Sequence, residues 1–218
     1  MCDLSGCARR VRPLTMPRFQ AVQRFWDSAT RCWTARVRPG EHYVTRSDEV
    51  ISTVIGSCIC ACVGDPILKL GGMTSFMLPL AALDSEADSE PDRTDGLATS
   101  YANQAMARLL GDLLKLGARR ERLEIKLFGA ARLLGSATDQ GARNISLVQE
   151  YAHAERLCVV ATDVGNIFPR RVIYNPASGK VRVRRLPVMD GPAIAEREQR
   201  YLNDIVREHR TGNVEALD

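Results

Sequence analysis

Histidine is scarce in this chain: only His42, His153 and His209 are present. No apolar run reaches the roughly 18 residues that a membrane-spanning helix requires, so no such helix is expected. The first residues lack the continuous apolar core of a secretory signal, and a cytoplasmic protein is expected. No paired C-x₂-C spacing accompanies the seven cysteines, whose odd number also fits no closed disulfide framework. Reduced thiols without metal follow, most of them small buried hydrophobes. No compact Lys/Arg cluster and no nucleic-acid motif occur, so nucleic acid is not an expected partner.

What is present describes one globular domain. The 218 residues are 45% hydrophobic and 26% charged, enough to bury roughly 70% of the unfolded surface without staples. Charge is uneven. Residues 1–40 hold eight arginines against Asp3 and Asp27, a net +6, and the rest carries −2. Residues 1–38 therefore read as a loose, solvated, Arg-rich extension with one short helix, anchored by Phe19, Phe25, Trp26 and Trp33.

From Tyr43 to Val63 the β-branched residues Val50, Ile51, Val54, Ile55, Ile59 and Val63 predict a strand interrupted at Gly56-Ser57. Gly64-Asp65-Pro66 predicts a turn into a second strand over 68–80. Asp84 to Gly96 is acidic and reads as a solvated loop. Met106, Leu109, Leu110, Leu113 and Leu114 recur at helical spacing up to Gly117, a C′ glycine. A strand over 123–128, a helix over 142–155, a buried strand over 157–161 and a hairpin over 171–186 follow. The tail, 193–209, predicts a charged helix with Ile194, Tyr201, Leu202 and Ile205 on its apolar face. The class is α+β (mixed α/β), in a single domain.

The stretch Ser52-Thr53-Val54-Ile55-Gly56-Ser57-Cys58 is the place where chemistry concentrates. A glycine two residues before a cysteine permits a kink that presents a thiol at a strand end, where freed backbone N–H groups can hold an oxyanion. Spacing alone favours a packed core thiol beside Cys60 and Cys62, which alternate with it on one strand face. A thiol redox or metal protein built on the same three cysteines is the weakest option, and its metal content is expected to be nil.

Thr53-x-x-Gly56-Ser57-Cys58, Asp65-Pro66 and Gly71-Gly72-Met73-x-x-Phe76-Met77-Leu78-Pro79 resemble the signature of the CheD family of chemoreceptor glutamine deamidases. The likeness continues through Leu127-Phe128-Gly129-Ala130-Ala131, Gly141-Ala142-Arg143-Asn144, Asp163-x-Gly165, Arg170-Arg171 and Gly179-Lys180. It spans about Pro39 to Leu186, with several motifs in register. The chain thus divides into the extension 1–38, a deamidase domain 39–190 and a charged tail 191–218.

The resemblance implies a mixed-sheet sandwich flanked by helices. It also implies hydrolysis of selected glutamine side chains on methyl-accepting chemotaxis receptors to glutamate, with release of ammonia and no cofactor. A CheC-type phosphatase is a further implied partner. Of the family's cysteine, threonine and histidine, the cysteine falls on Cys58. The threonine position falls on Ser52, with adjacent Thr53 the alternative. The histidine position, two residues before the Met-Leu-Pro run, is Ser75. Serine neither stabilises a thiolate nor protonates ammonia as an imidazolium does, and loss of a general acid–base costs roughly 10²–10⁴ in rate. The same substitution carries the alternative reading, a CheD-like binding module for receptors or a chemotaxis phosphatase. His42 and His153 read as surface or capping residues, and His209 as a cation at a helix end. Asn166 stands where the family often has a second glycine.

Overall fold

The computed structural model describes residues 11–77, 91–133 and 140–210. Among them lie ten strands: β1 (Gln23–Asp27), β2 (Cys32–Arg36), β3 (His42–Thr45), β4 (Glu49–Ile55), β5 (Ile59–Asp65), β6 (Leu70–Phe76), β7 (Glu124–Gly129), β8 (Cys158–Val164), β9 (Arg170–Tyr174) and β10 (Val181–Arg185). Three α-helices accompany them: α1 (Pro91–Lys115), α2 (Gln140–Ala154) and α3 (Gly191–Arg210). The α+β expectation holds.

Two mixed five-stranded sheets run in the orders β1-β2-β4-β9-β10 and β3-β6-β5-β7-β8. Tyr174 on β9 reaches across to the second sheet, where its hydroxyl lies 2.4 Å from where a Cβ on Gly71 would be. Gly71 therefore turns inward, and Gly72, next along β6, turns outward beneath Leu109 of α1. Met106, Leu109, Leu110 and Leu113 of α1 are buried, and each such burial is worth about 1.5–3 kcal/mol. Gly117 (φ +95°) ends α1 as its spacing predicts.

Several local expectations need correction. Of the extension 1–38, residues 17–36 supply a short 3₁₀ turn and the antiparallel pair β1–β2, and β2 runs parallel to β4. Three of their arginines have partners, and the Arg24 side chain is buried. Arg24 forms a buried ion pair with Glu49 at 2.8 Å, Arg18 bonds Asp112, and Arg36 lies over the Phe25 ring. The 43–63 stretch is three strands, not one interrupted strand: β3 and β5 belong to the second sheet and β4 to the first. Gly56-Ser57-Cys58 is the crossing between sheets.

Helix α1 begins at Pro91, inside the stretch read as an acidic loop; residues 84–90 of that stretch lie outside the described residues. Strand β8 is an exposed edge instead of a buried strand: among the described residues only β7 pairs with it. The β5–β6 and β9–β10 hairpins and α2 form as expected.

Candidate active site

Every backbone polar group of the crossing turn Gly56-Ser57-Cys58 has a partner, and the partners fall on two sides. The carbonyls point into the domain. Gly56 O accepts from Ala131 N at 2.7 Å and Cys58 O from Ala130 N at 2.8 Å, while Ser57 O accepts from Asn144 Nδ2 at 3.0 Å. Gly129, at the end of β7, makes this approach feasible: its φ is +107°, and a Cβ there would lie 2.2 Å from Cys58 O. Gly141 likewise brings α2 against Ala130, whose carbonyl oxygen would be 2.5 Å from an added Cβ.

Arg170, almost wholly buried, braces the Gly129 end from behind. Its guanidinium donates to the carbonyls of Gly129, Phe168 and Gly165 and to the Asp163 carboxylate at 2.9 Å. That bond, ahead of the smaller burial effect that opposes it, holds the Asp163 carboxyl below its ordinary range. Asn166, beside it, sits at φ +67°, a left-handed conformation that glycine adopts without strain. Four stretches that resemble CheD, residues 127–131 and 141–144, Asp163-x-Gly165 and Arg170-Arg171, thus gather at or behind this turn. Elsewhere, Asp65 bonds Arg122 and Gly179 accepts from Lys126.

The N–H groups of the turn point the other way, and all three meet one side chain. Glu198 of α3 accepts from Gly56 N at 2.7 Å and Cys58 N at 3.3 Å through Oε1. Its Oε2 accepts from Ser57 N at 2.9 Å and Ser57 Oγ at 2.7 Å. Three convergent backbone N–H groups beside a thiol form an anion-binding nest, which suits an oxyanion.

Cys58 is fully buried. Burial pushes its thiol well above the ordinary value, and the charge and hydrogen bonding of Glu198 push it further, against the opposing Arg197 guanidinium. In this arrangement the sulfur is held as the thiol. Arg197 bonds the carbonyl of Val54.

Among the other expected site residues, Thr53 and Ser75 lie on facing inner surfaces and Ser52 does not. Ile51 pairs with the inward Tyr174, so Thr53, two residues on, also faces inward and Ser52 faces outward. Ser75, four residues beyond Gly71, is inward and pairs directly with Cys60. The hydroxyls of Thr53 and Ser75 are both buried with no hydrogen-bond partner among the described residues.

Neither described histidine side chain replaces the absent imidazole. His42 pairs with Thr74, on the opposite face of β6 from Ser75, and bonds Asp112 Oδ2 at 2.9 Å. His153 is exposed on α2. The side chain of His209 lies outside the described residues.

Two residues that hold this turn went unread in the sequence. Asn144 sits in a quoted motif without an evident task, and its bond to the turn needs the tertiary structure. Glu198 had a signal: it stands four residues after Ile194 and four before Leu202, a charge in the middle of an apolar stripe.

A family model described as CheD chemotactic sensory transduction matches residues 77–185. A protein of Hydrogenovibrio crunogenus, named "Probable chemoreceptor glutamine deamidase CheD", is 44% identical over 196 residues, covering 90% of this chain and all of that one. Proteins of the same name from Hahella chejuensis and Halorhodospira halophila are 38% and 40% identical. The former covers 94% of this chain and 95% of its own length, the latter 94% of each. With the fold, the quoted motifs and these relatives in agreement, the chain belongs to the CheD family.

Proposed function

We propose that this protein deamidates glutamine side chains of methyl-accepting chemotaxis receptors in the cytoplasm, with Cys58 as nucleophile. The observation that carries the reading is the convergence of three backbone N–H groups beside the Cys58 thiol. The sulfur attacks the carboxamide carbon, and the N–H groups of Gly56, Ser57 and Cys58 stabilise the tetrahedral oxyanion. The C–N bond breaks, and the nitrogen leaves as ammonia with the proton released from sulfur. Water then adds to the thioester, expelling the thiol and leaving glutamate. Every atom comes from protein, substrate or water, so no cofactor is required. The inward hydroxyls of Thr53 and Ser75 are the side chains available to orient the amide; Ser52 is turned away.

Incubation with a glutamine-bearing receptor fragment tests this directly. Mass spectrometry is expected to record conversion to glutamate, abolished by Cys58→Ala. Lack of product at high protein concentration removes the reading.

Ser75, in the family's histidine position, favours one second reading: a binding module that docks on receptors or on a CheC-type phosphatase without turnover. Ser75→His separates the two. Activity gained in an inactive parent supports the module, and brisk turnover by the native chain rejects it.

A further inference from the structure

The nest of N–H groups around Cys58 already has an occupant from the same chain. Glu198 is 1% exposed, and its four donors among the described residues are uncharged groups of Gly56, Ser57 and Cys58. Burying a carboxylate is costly unless its hydrogen bonds are made, and here the reactive turn makes them. Glutamate is also what a glutamine deamidase leaves behind, with the same side-chain length as the substrate. The helix that delivers it is docked across the turn: Ile194 packs at Gly56, Arg197 holds the carbonyl of Val54, and Tyr201 lies against Gly40. These positions follow the helical i, i+3, i+7 spacing, so one face of α3 packs against Gly40, Val54 and the turn that carries Cys58.

We infer that Glu198 is a built-in product mimic, and that α3 holds the active site closed until a substrate glutamine displaces Glu198 from the N–H groups of Gly56, Ser57 and Cys58. The inference rests on the deamidase reading, and it adds a self-inhibited resting state. Glu198 as a general base fits less well. While its carboxylate fills the nest, no donor remains for the oxyanion, and a negative charge beside the sulfur opposes the thiolate, unlike an imidazolium. Once the carboxylate is removed, Arg197 is the charge left beside the sulfur, and it favours the thiolate.

Alkylation by iodoacetamide at fixed pH tests this without any turnover. The rate at the Cys58 peptide is read by mass spectrometry, with exposed Cys158 of the same molecule as reference. Thiolate fraction rises about tenfold for each unit by which a thiol's pKa falls toward the working pH. Glu198→Ala and Glu198→Leu are each expected to raise the Cys58-to-Cys158 ratio about tenfold or more.

An unchanged or lowered ratio in either folded variant overturns the inference. If Glu198→Ala unfolds, buried Cys60 and Cys62 label together with Cys58, and the Glu198→Leu ratio decides. Faster Cys58 labelling in a protein that never deamidates supports the closed site and removes the deamidase. Deamidation by the native chain with unchanged ratios in the variants does the reverse.

Discussion

The carbonyl side and the N–H side of the Gly56-Ser57-Cys58 turn are held by different kinds of structure. On the carbonyl side, Ala130, Ala131 and Asn144 donate from the end of β7, the residues after it and α2, with Arg170 behind them. On the N–H side, one carboxylate from the terminal helix accepts every bond. The carbonyl contacts are part of the domain's core and set where the sulfur sits. In the proposed deamidase the N–H contacts are the ones that substrate must borrow, and the proposal makes their holder removable. A site that binds an oxyanion needs free donors, and free buried donors are costly. A removable internal acceptor resolves that conflict.

Substitutions on the two sides are therefore expected to differ in kind. The largest stability loss should come from Gly129→Ala. Its positive φ and the 2.2 Å approach to Cys58 O leave no room for a methyl group, and the cost should exceed about 1 kcal/mol in urea denaturation, with activity lost as the turn shifts.

Asn144→Ala comes next. It orphans the carbonyl of Ser57 and should cost about 1–3 kcal/mol, with kcat reduced more than KM is raised. Glu198→Ala, on the other side, should cost less stability than Gly129→Ala, because lifting α3 lets water reach the N–H groups. An equal loss on both sides would erase the distinction.

Acid sharpens the same comparison. Asp163, bound by Arg170, has its carboxyl held low in the folded state. Asp65 is held low too: burial alone would raise it, but Arg122 and the N–H groups of Leu68 and Arg119 outweigh burial. A carboxyl lowered on folding adds stability at pH values above its unfolded value, near 3.9, and that stability is lost as pH falls through the lower folded value. Asp163→Asn should therefore flatten the fall in stability below about pH 4 while lowering stability at neutral pH. The smallest effect is expected from His153→Ala, on the exposed face of α2, within about 0.5 kcal/mol and without change in activity.

The sequence makes the strand before Cys58 legible because β-branched runs and Gly-Ser carry local signals, whereas the role proposed for Cys58 comes from the resemblance to CheD. The first strands are harder to see. Arg24 and Arg36 make β1 and β2 look solvated, and only Glu49 on β4 and the Phe25 ring show how those charges are accommodated. Strand β8 reads as buried from Leu157 to Ala161, yet edge position in a sheet is a property of pairing, not of composition. Ser52 and Thr53 are neighbours in sequence and opposites in space, and the face each takes depends on the register of β4 against β9. Glu198 is visible as a misplaced charge on α3, but its target, 140 residues away in the chain, is not.

One measurement joins nucleophile and occupant most directly. In Glu198→Gln, an amide side chain takes the place now held by the carboxylate at the N–H groups of the turn. Cys58 is expected to hydrolyse that introduced amide within the molecule and restore the native carboxylate, seen as the amide-to-acid mass increase in the peptide that carries the substitution. Glu198→Gln combined with Cys58→Ala should keep its amide. Retention of the amide in both proteins, or equal conversion in both, would contradict the account.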